Sequence, residues 1–404
     1  MSRRPTSPDL VALNPDLARL AAEGFDVSVE GGYLVVRDVP YVDAMRRVRR
    51  GLIISNLDLA GDRTVCPSDH MVWFSGGHPC DALGRGLGKM AHGFRRRDLG
   101  GGLVAEYLLC SKPAGGEFRD FHEKITTFVA QVSSHAEALD PTATARTGRI
   151  VTSAGARSSF AYVDTASSRN GLGAFNARLM GRSIGIVGLG GTGSYILDLV
   201  AKTPVHRIHL FDDDRFEQHN AFRAPSAPSI DDLRERRSKV EHFERIYSKM
   251  HLGIVAHEAR LGLQNLHVLD HLDFVFLAVD SAASRRVLVE EMERRCLPFI
   301  DTGLGMHVAE GGLVATIRVT TSEPGMQDRD RAHPVIPTRG VFEDDPYGSA
   351  AQVGDLNCLA ATLAVIRWKK LAGFYLDLER EHHSVFQVDG NLIVNEDRLG
   401  TPGK

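Results

Sequence analysis

The sequence predicts an α/β protein with a mostly parallel sheet and helices on both faces, preceded by a smaller α+β domain. From residue 183 onward, short apolar runs alternate with amphipathic segments, which is typical of parallel strands joined by helices. A glycine-rich turn at residues 188–194 directly follows the first of these runs. Before about residue 150 the pattern differs, because short β-like runs are separated by Gly- and Pro-containing turns.

The N-terminal domain is assigned to residues 1–150. Its expected strands are residues 33–36, 52–54, 71–74 and 104–109, followed by a helix over about 118–138. Asp140 precedes Pro141 and is expected to end this helix, because a residue before proline is pushed out of the α region. The Thr-, Ala-, Ser- and Gly-rich stretch that follows predicts a linker, and residues 151–180 are assigned as a separate connecting segment.

Residues 181–404 form the expected second domain. The predicted strands are 183–189, 207–212, 254–258, 273–279 and 298–301, and the predicted helices are 194–202, 238–250 and 282–295. Residues 311–320 predict an added, antiparallel strand, and a last long helix is expected over about 350–372. Two β-like runs follow around Phe386 and Ile393. This alternation predicts a Rossmann-like domain.

Composition excludes several classes of protein. Lys and Arg total 48 against 51 acidic residues in 404, so the net charge of −3 gives no reason to expect nucleic acid or an anionic membrane as a partner. Five scattered cysteines favour reduced thiols. The N-terminus has no apolar segment of signal-peptide type, and the longest apolar runs are too short to span a bilayer. We therefore expect a cytoplasmic protein.

The glycine-rich turn predicts a phosphate site. Gly188, Gly190, Gly191 and Gly193 leave main-chain N–H groups accessible at the start of a helix, where phosphate oxygens bind. Dinucleotide-binding folds use the same arrangement, so the turn alone does not separate ATP from NAD. The turn lacks the GK[ST] ending of a P-loop, which argues against that class of kinase or ATPase.

Polar residues after the later strands make ATP the better fit. Asp212 and Asp214 follow the second strand, and Asp214 is placed to bind ribose hydroxyls in either kind of fold. Asn220, Arg223 and Lys239 come next. An α-phosphate under attack needs the two cations, Arg223 and Lys239, whereas an NAD enzyme has no use for extra positive charge here.

The third apolar run ends at Asp280. Open α/β sheets hold their ligands at the carboxyl ends of their strands, and a carboxylate at this position can bind Mg²⁺. The sequence therefore predicts a site for ATP and Mg²⁺.

These motifs, over residues 181–320 and again over 352–374, resemble the ThiF/MoeB adenylyltransferase superfamily, which includes ubiquitin-activating enzymes. The resemblance pairs Asp280-Ser281 with Arg285 as a nucleotide-site motif. It also implies that Arg169 reaches into the partner subunit's site, and hence a homodimer. The implied reaction is ATP-dependent adenylation of the C-terminal carboxylate of a ubiquitin-like β-grasp protein, with release of pyrophosphate. A downstream conjugating protein is a further possible partner.

The sequence departs from many relatives in its cysteines. It has no CxxC pair, so we expect no structural zinc, and residues 322–350 contain no cysteine. Cys296 and Cys358 are interpreted as small core residues. The adenylate therefore passes directly to a partner, or forms an ester on a hydroxyl such as Thr338 or Ser349.

The N-terminal domain resembles an extra domain of some bacterial ThiF-type proteins and is interpreted as a recruiting module for a substrate or partner. Its polar residues fit no standard zinc spacing and are interpreted as ordinary turn and core residues; they are His70, His78, Cys80, Cys110 and His122.

Two other functions remain open from the sequence. A ThiF-type enzyme could adenylate a different carboxylate, or act on a tRNA or peptide substrate, although the near-neutral charge argues against tRNA. An NAD-dependent dehydrogenase is the less favoured alternative, because Arg223 and Lys239 oppose it.

Overall fold

The computed structural model describes residues 7–88, 90–113, 115–149, 158–309, 311–324, 336 and 352–396. The chain divides into two compact units, Met1–Ala177 and Arg178–Lys404. No helix in the described residues is both long enough and apolar enough to cross a membrane.

Unit 1 is built on a six-stranded antiparallel sheet in the order β1-β2-β3-β6-β8-β7. Its strands are β1 (Asp26–Glu30), β2 (Tyr33–Val42), β3 (Val48–Asn56), β6 (Met71–Ser75), β7 (Ala91–Gly100) and β8 (Leu103–Cys110), with β4 (Leu59–Ala60) and β5 (Arg63–Thr64) forming a separate ladder. The helices are α1 (Ser7–Leu13), α2 (Pro15–Ala22), α3 (Phe121–Leu139), α4 (Thr165–Asn170) and α5 (Gly173–Asn176).

Helix α3 closes one face of this sheet. Its N-cap, Asp120, accepts a hydrogen bond from the backbone N–H of Glu123 at 2.7 Å. Its buried residues recur at helical spacing and join the core formed with β2; they include Phe121, Ile125, Phe128 and Val132. The predicted helix is present and is shifted by one to three residues.

Several elements of unit 1 were not predicted. Strand β7 contains Arg95, Arg96 and Arg97, which do not resemble a buried strand. It lies at the edge of the sheet, where charged side chains point to solvent and discourage pairing with another chain. Strand β1 and the short helices α1 and α2 were also missed. Part of the predicted connecting segment is helical, because α4 and α5 lie within it.

Unit 2 is built on an eight-stranded sheet in the order β11-β10-β9-β12-β13-β14-β15-β16. The first five strands in this order are parallel and the last three are antiparallel additions. The strands are β9 (Ser183–Val187), β10 (Arg207–Phe211), β11 (Ile254–His257), β12 (Phe274–Leu277), β13 (Phe299–Ala309), β14 (Gly312–Ser322), β15 (His383–Gln387) and β16 (Leu392–Glu396).

The helices of unit 2 lie on both faces of its sheet. They are α6 (Gly191–Val200), α7 (Gln218–Ala221), α8 (Ile230–Arg234), α9 (Lys239–Tyr247), α10 (Ala282–Arg294) and α11 (Gly354–Leu371), with a 3₁₀ helix at Leu266–His271. On β12, Phe274 and Phe276 join a core with α6, α9 and α11, whereas Val275 and Leu277 join one with α10. The predicted fold class is confirmed.

Two cysteine interpretations can be compared with the structure. Cys296 is exposed, so its interpretation as a core residue was wrong. It follows the last turn of α10 with a φ of 53°, in the left-handed conformation that ends many helices. Cys358 is partly buried in α11. Thr338 and Ser349, the hydroxyls considered as ester acceptors, lie outside the described residues.

Buried histidines in unit 2 predict an acid-sensitive fold. Burial, together with the neighbouring His257, lowers the pKa of His209 to about 4. The unfolded chain therefore binds more protons than the folded one between pH 6.5 and 4, and the free energy of unfolding falls as the pH drops through that window. The slope contributed by one such group is at most about 1.4 kcal/mol per pH unit.

Urea unfolding at pH 6 and pH 5 checks this prediction. The His209→Phe variant should lose less stability between these two pH values than the unmodified protein. The control is His206→Gln, at an exposed histidine nearby, and it should lose as much stability as the unmodified protein. Equal pH slopes in all three proteins would contradict the assignment.

Candidate active site

A cavity of about 380 Å³ lies in unit 2 beyond the carboxyl ends of β9, β10 and β12. This is the edge at which open α/β sheets hold their ligands. Most of the predicted site residues line it: Gly188, Gly190, Asp212, Asp214, Asn220, Arg223, Lys239 and Asp280. Gly191, Gly193 and Arg285 do not line this cavity, and Arg169 belongs to unit 1.

The glycines of the turn differ in how much space a Cβ atom would have at each position. Gly188 has a φ of 87°, and a Cβ there would lie 2.5 Å from the carbonyl oxygen of Ala278. A Cβ at Gly193 would collide with the carbonyl oxygen of Gly188. At Gly190, by contrast, a Cβ would meet no heavy atom within 4 Å. The chain therefore needs Gly188 and Gly193 for its own packing, whereas Gly190 borders open space at the start of α6.

This difference predicts separable effects of two substitutions. Gly193→Ala should destabilise the protein by about 1–3 kcal/mol, because the new methyl overpacks the turn. Gly190→Ala should change the free energy of unfolding by less than about 1 kcal/mol, the usual range for a helix N-cap exchange. It should nevertheless weaken nucleotide binding, because the methyl occupies the space that a phosphate would approach. Calorimetric titration and thermal unfolding of both variants test this, and unchanged binding in Gly190→Ala would contradict it.

Asp212 fixes the backbone around the cavity. One carboxylate oxygen accepts a hydrogen bond from the N–H of Leu189 at 2.6 Å, and the other accepts one from the N–H of Asp214 at 2.9 Å. Burial raises the pKa of the Asp212 carboxyl above its ordinary value, even though Lys239 lies nearby. Asp212 therefore ties the glycine turn to the segment that follows β10.

Lys239 is a buried cation held between carboxylates. It is the first residue of α9, and its Nζ lies 2.7 Å from an oxygen of Asp214 and 3.5 Å from one of Asp212. The hydrogen bond from Lys239 lowers the pKa of the Asp214 carboxyl. Asp214 keeps most of its side chain exposed, so its carboxylate remains accessible from the cavity. Lys239 is only 6% exposed.

Asn220 and Arg223 lie on and just after the short helix α7. The side-chain oxygen of Asn220 accepts a hydrogen bond from the N–H of Glu217 at 2.8 Å, which completes a capping box. Arg223 lines the cavity and has no carboxylate partner among the described residues. Its Nε is buried without a hydrogen-bond acceptor in that part of the chain. An unpaired guanidinium beside a cavity provides a binding site for an anion.

Asp280 lies in the segment that joins β12 to α10, and Arg285 lies near the start of α10. The side chain of Asp280 is exposed and lines the cavity. Arg285 is 6% exposed, and its Nε donates to a carboxylate oxygen of Asp301 at 3.0 Å. Arg285 is therefore committed to a protein partner in this structure.

Two protein-family models match parts of the chain. Residues 172–366 match the model of the ThiF family, and residues 15–165 match a domain of unknown function, DUF6791. Residues 172–366 form a ThiF-family domain. This is the adenylyltransferase family whose motifs the sequence carries. No curated protein matches the sequence significantly.

Solved structures resemble the chain at low identity. E. coli MccB with ATP has 20% identity and a TM-score of 0.45, covering 59% of this chain and 73% of MccB. E. coli MccB with MccA-N7isoASN has 19% identity and a TM-score of 0.47, covering 58% and 73%. PaaA has 14% identity and a TM-score of 0.42, covering 55% and 75%.

Arg169, the predicted residue for a partner subunit's site, lies on α4 of unit 1. It forms an ion pair with Asp58, whose side chain is only 3% exposed. Asp58 also accepts a hydrogen bond from the N–H of Ser68 at 2.7 Å. The described structure thus places Arg169 against its own unit, and a role in another subunit stays a prediction.

The cavity of the ThiF domain also contains residues that the sequence reasoning missed. Arg260 lines it and lies 3.4 Å from Asp213, which also lines it. Arg260 comes shortly after the end of β11, so the strand-end rule that found Asp280 could have found it. Gln352 also lines the cavity, and nothing in its local sequence marks it.

The carboxylates that follow β10 lie close enough together to hold a metal ion. Within the described residues, Asp212, Asp213 and Asp214 are the one group of three or more whose potential ligand atoms all lie within 4.8 Å of one another. Among the histidines and cysteines of unit 1, the Cys80 Sγ lies 3.9 Å from the His78 Nδ1. The His122 Nε2 forms a hydrogen bond with a carboxylate oxygen of Glu23 at 2.8 Å.

Proposed function

We propose that the ThiF domain binds ATP in this cavity and adenylates the C-terminal carboxylate of a ubiquitin-like protein, releasing pyrophosphate. The observation that carries the nucleotide part is Arg223, a cavity-lining guanidinium with no carboxylate partner among the described residues and a buried, unsatisfied Nε. The choice of a ubiquitin-like substrate rests on the sequence resemblance.

The remaining cavity residues supply complementary contacts. The backbone at Gly190, the N-cap of α6, borders open space and suits a phosphate group. Arg223 and Lys239 supply positive charge for the triphosphate, and the accessible carboxylate of Asp214 suits ribose hydroxyls. Asn220 supports this set by fixing the backbone of α7 just before Arg223.

Asp280 is the proposed ligand for Mg²⁺. It is an exposed carboxylate on the cavity wall, and no ion pair engages it within the described residues. Carboxylate together with phosphate oxygens is the ligand set that Mg²⁺ usually takes in nucleotide sites. The bound ion would offset negative charge on the phosphates.

The reaction needs positioning more than covalent participation by the protein. A carboxylate oxygen of the substrate attacks the α-phosphorus, the bond from that phosphorus to the bridging oxygen breaks, and pyrophosphate leaves. Arg223 and Lys239 stabilise the charge that develops on the phosphoryl oxygens, and holding both reactants in one cavity supplies most of the remaining rate. We extend the proposal to a homodimer in which Arg169 contributes to a second site.

Pyrophosphate–ATP exchange tests this function. Labelled pyrophosphate should enter ATP only when the chain, Mg²⁺ and an acceptable carboxylate are all present. A panel of small β-grasp proteins, the same proteins lacking their last two residues, a short peptide and a tRNA would identify the substrate class. Exchange supported only by the peptide or tRNA would replace the ubiquitin-like substrate. Failure to bind ATP, together with a fluorescence change on adding NADH, would reject adenylation.

A further inference from the structure

Three charged side chains lie buried behind the segment that carries Asp280. Arg285 on α10, Asp301 on β13 and Arg318 on β14 are 6%, 0% and 4% exposed. Arg285 Nε donates to one oxygen of Asp301 at 3.0 Å, and Arg318 Nη2 pairs with the other. We call these three residues the Arg–Asp–Arg cluster. None of them lines the cavity.

Arg285 connects the cluster to the segment before α10. Its Nη2 donates to the carbonyl oxygen of Val279, the residue directly before Asp280. On the other side of Asp280, the Ser281 hydroxyl accepts a hydrogen bond from the N–H of Ser284 at 3.3 Å and caps α10. Directly before Val279, the N–H of Ala278 donates a hydrogen bond to the carbonyl oxygen of Val187 at 2.9 Å. The backbone is thus anchored on both sides of Asp280, whose side chain points into the cavity.

Stability alone does not explain why this cluster is charged. A buried ion cluster is often replaceable by apolar residues of similar volume without loss of stability, because each charge must be desolvated. A planar guanidinium can donate in two directions at once, and here it joins a strand carboxylate to a carbonyl in another segment. This geometry fits a residue that fixes the backbone.

We infer that Arg285 and Asp301 are positioning residues, which hold the backbone at Val279 so that the Asp280 carboxylate stays directed into the cavity. This inference rests on the proposed function for its consequence, namely that Asp280 binds Mg²⁺ with the nucleotide. It reassigns Arg285, which the sequence motif had placed in contact with the cofactor.

Arg318 completes the arrangement from the far side. Its Nη1 donates to the Thr320 hydroxyl at 2.8 Å. A Cβ at Gly303, the residue opposite Arg318 on β13, would lie 2.8 Å from the guanidinium, so the glycine leaves room for it. Arg318 therefore orients the Asp301 carboxylate towards Arg285.

The test compares Arg285→Lys with a matched control on the same helix. Lysine keeps the positive charge beside Asp301 but cannot also donate to Val279. Arg286→Lys is the control, because Arg286 is exposed and pairs with Glu290. The amides of Ala278 and Ser284 flank Asp280 and donate to Val187 and Ser281, so their hydrogen–deuterium exchange reports on this segment. Their exchange should be about tenfold faster in Arg285→Lys, the factor expected for losing one hydrogen bond. The control should exchange like the unmodified protein.

A second readout separates positioning from nucleotide contact. In pyrophosphate exchange, the half-saturating Mg²⁺ concentration should rise about tenfold in Arg285→Lys. ATP affinity measured without Mg²⁺ should stay unchanged. If Arg285→Lys does not fold, Arg318→Lys should show the same two changes at smaller size.

Three outcomes would overturn the inference. A lower melting temperature with normal exchange at the amides of Ala278 and Ser284 and normal Mg²⁺ dependence would mean that the cluster only stabilises the fold. Loss of Mg²⁺-free ATP binding with normal deuterium exchange would mean that Arg285 contacts the nucleotide. Faster deuterium exchange in the Arg286→Lys control as well would mean that the effect is not specific to Arg285. The deuterium measurement needs no ATP, so it decides the positioning role even if the proposed function fails.

Discussion

Asp280→Ala is expected to abolish ATP-dependent pyrophosphate exchange. The substitution removes an exposed carboxylate that lines the cavity and that no described residue pairs with. Because this carboxylate is the proposed Mg²⁺ ligand, its loss should remove the ion and the charge compensation that the ion gives the triphosphate. Initial rates measured over a range of Mg²⁺ concentrations provide the test.

The matched control for this prediction is Asp231→Ala. Asp231 is an exposed aspartate on α8 that does not line the cavity. It should leave the exchange rate unchanged. Both variants should unfold close to the temperature of the unmodified protein, because neither removes a buried contact. Exchange by Asp280→Ala at a rate near that of the control would reject Asp280 as the metal ligand.

Arg223→Gln is expected to lower the exchange rate by about 10²–10³-fold, the usual cost of removing one group that stabilises developing charge. The same substitution should leave the free energy of unfolding unchanged or slightly higher. Arg223 makes no ion pair with a described residue, and its buried Nε lacks an acceptor in that part of the chain. Removing it therefore breaks no side-chain hydrogen bond or ion pair with a described residue, and it removes a buried polar atom that has no acceptor there.

Arg234→Gln provides the control for Arg223. Arg234 is exposed on α8, pairs with Asp231 and lies outside the cavity lining. We expect full exchange activity from this variant. If Arg223→Gln loses activity only in proportion to a loss of folded protein, Arg223 is part of the fold and the assignment fails.

The sequence predicted unit 2 well because local pattern and tertiary environment agree there. Buried parallel strands such as β12 are short apolar runs, and Ser238 and Ser281 mark helix starts through their caps. Unit 1 was less predictable. The arginines of β7 are compatible with a strand only at a sheet edge, and a strand's place in a sheet depends on contacts distant in sequence.

Around the cavity, too, residues whose position depends on distant contacts could not be predicted from the sequence. Residues directly after strand ends, such as Asp214 and Asp280, line the cavity because the topology of an open sheet brings strand ends together. The partner of Arg285 was not predicted. An aspartate in an apolar strand needs a positively charged partner, so the sequence around Asp301 indicates that one exists. Only the fold shows that both Arg285 and Arg318 pair with it.

A structure of the protein with a non-hydrolysable ATP analogue and Mg²⁺ would show whether these residues bind the nucleotide. We expect the α-phosphate within hydrogen-bonding distance of Arg223, the metal on Asp280 and the ribose beside Asp214. The proposed site would be rejected if the analogue bound elsewhere, or if Arg223 and Asp280 turned towards solvent while the cavity held a nicotinamide dinucleotide instead.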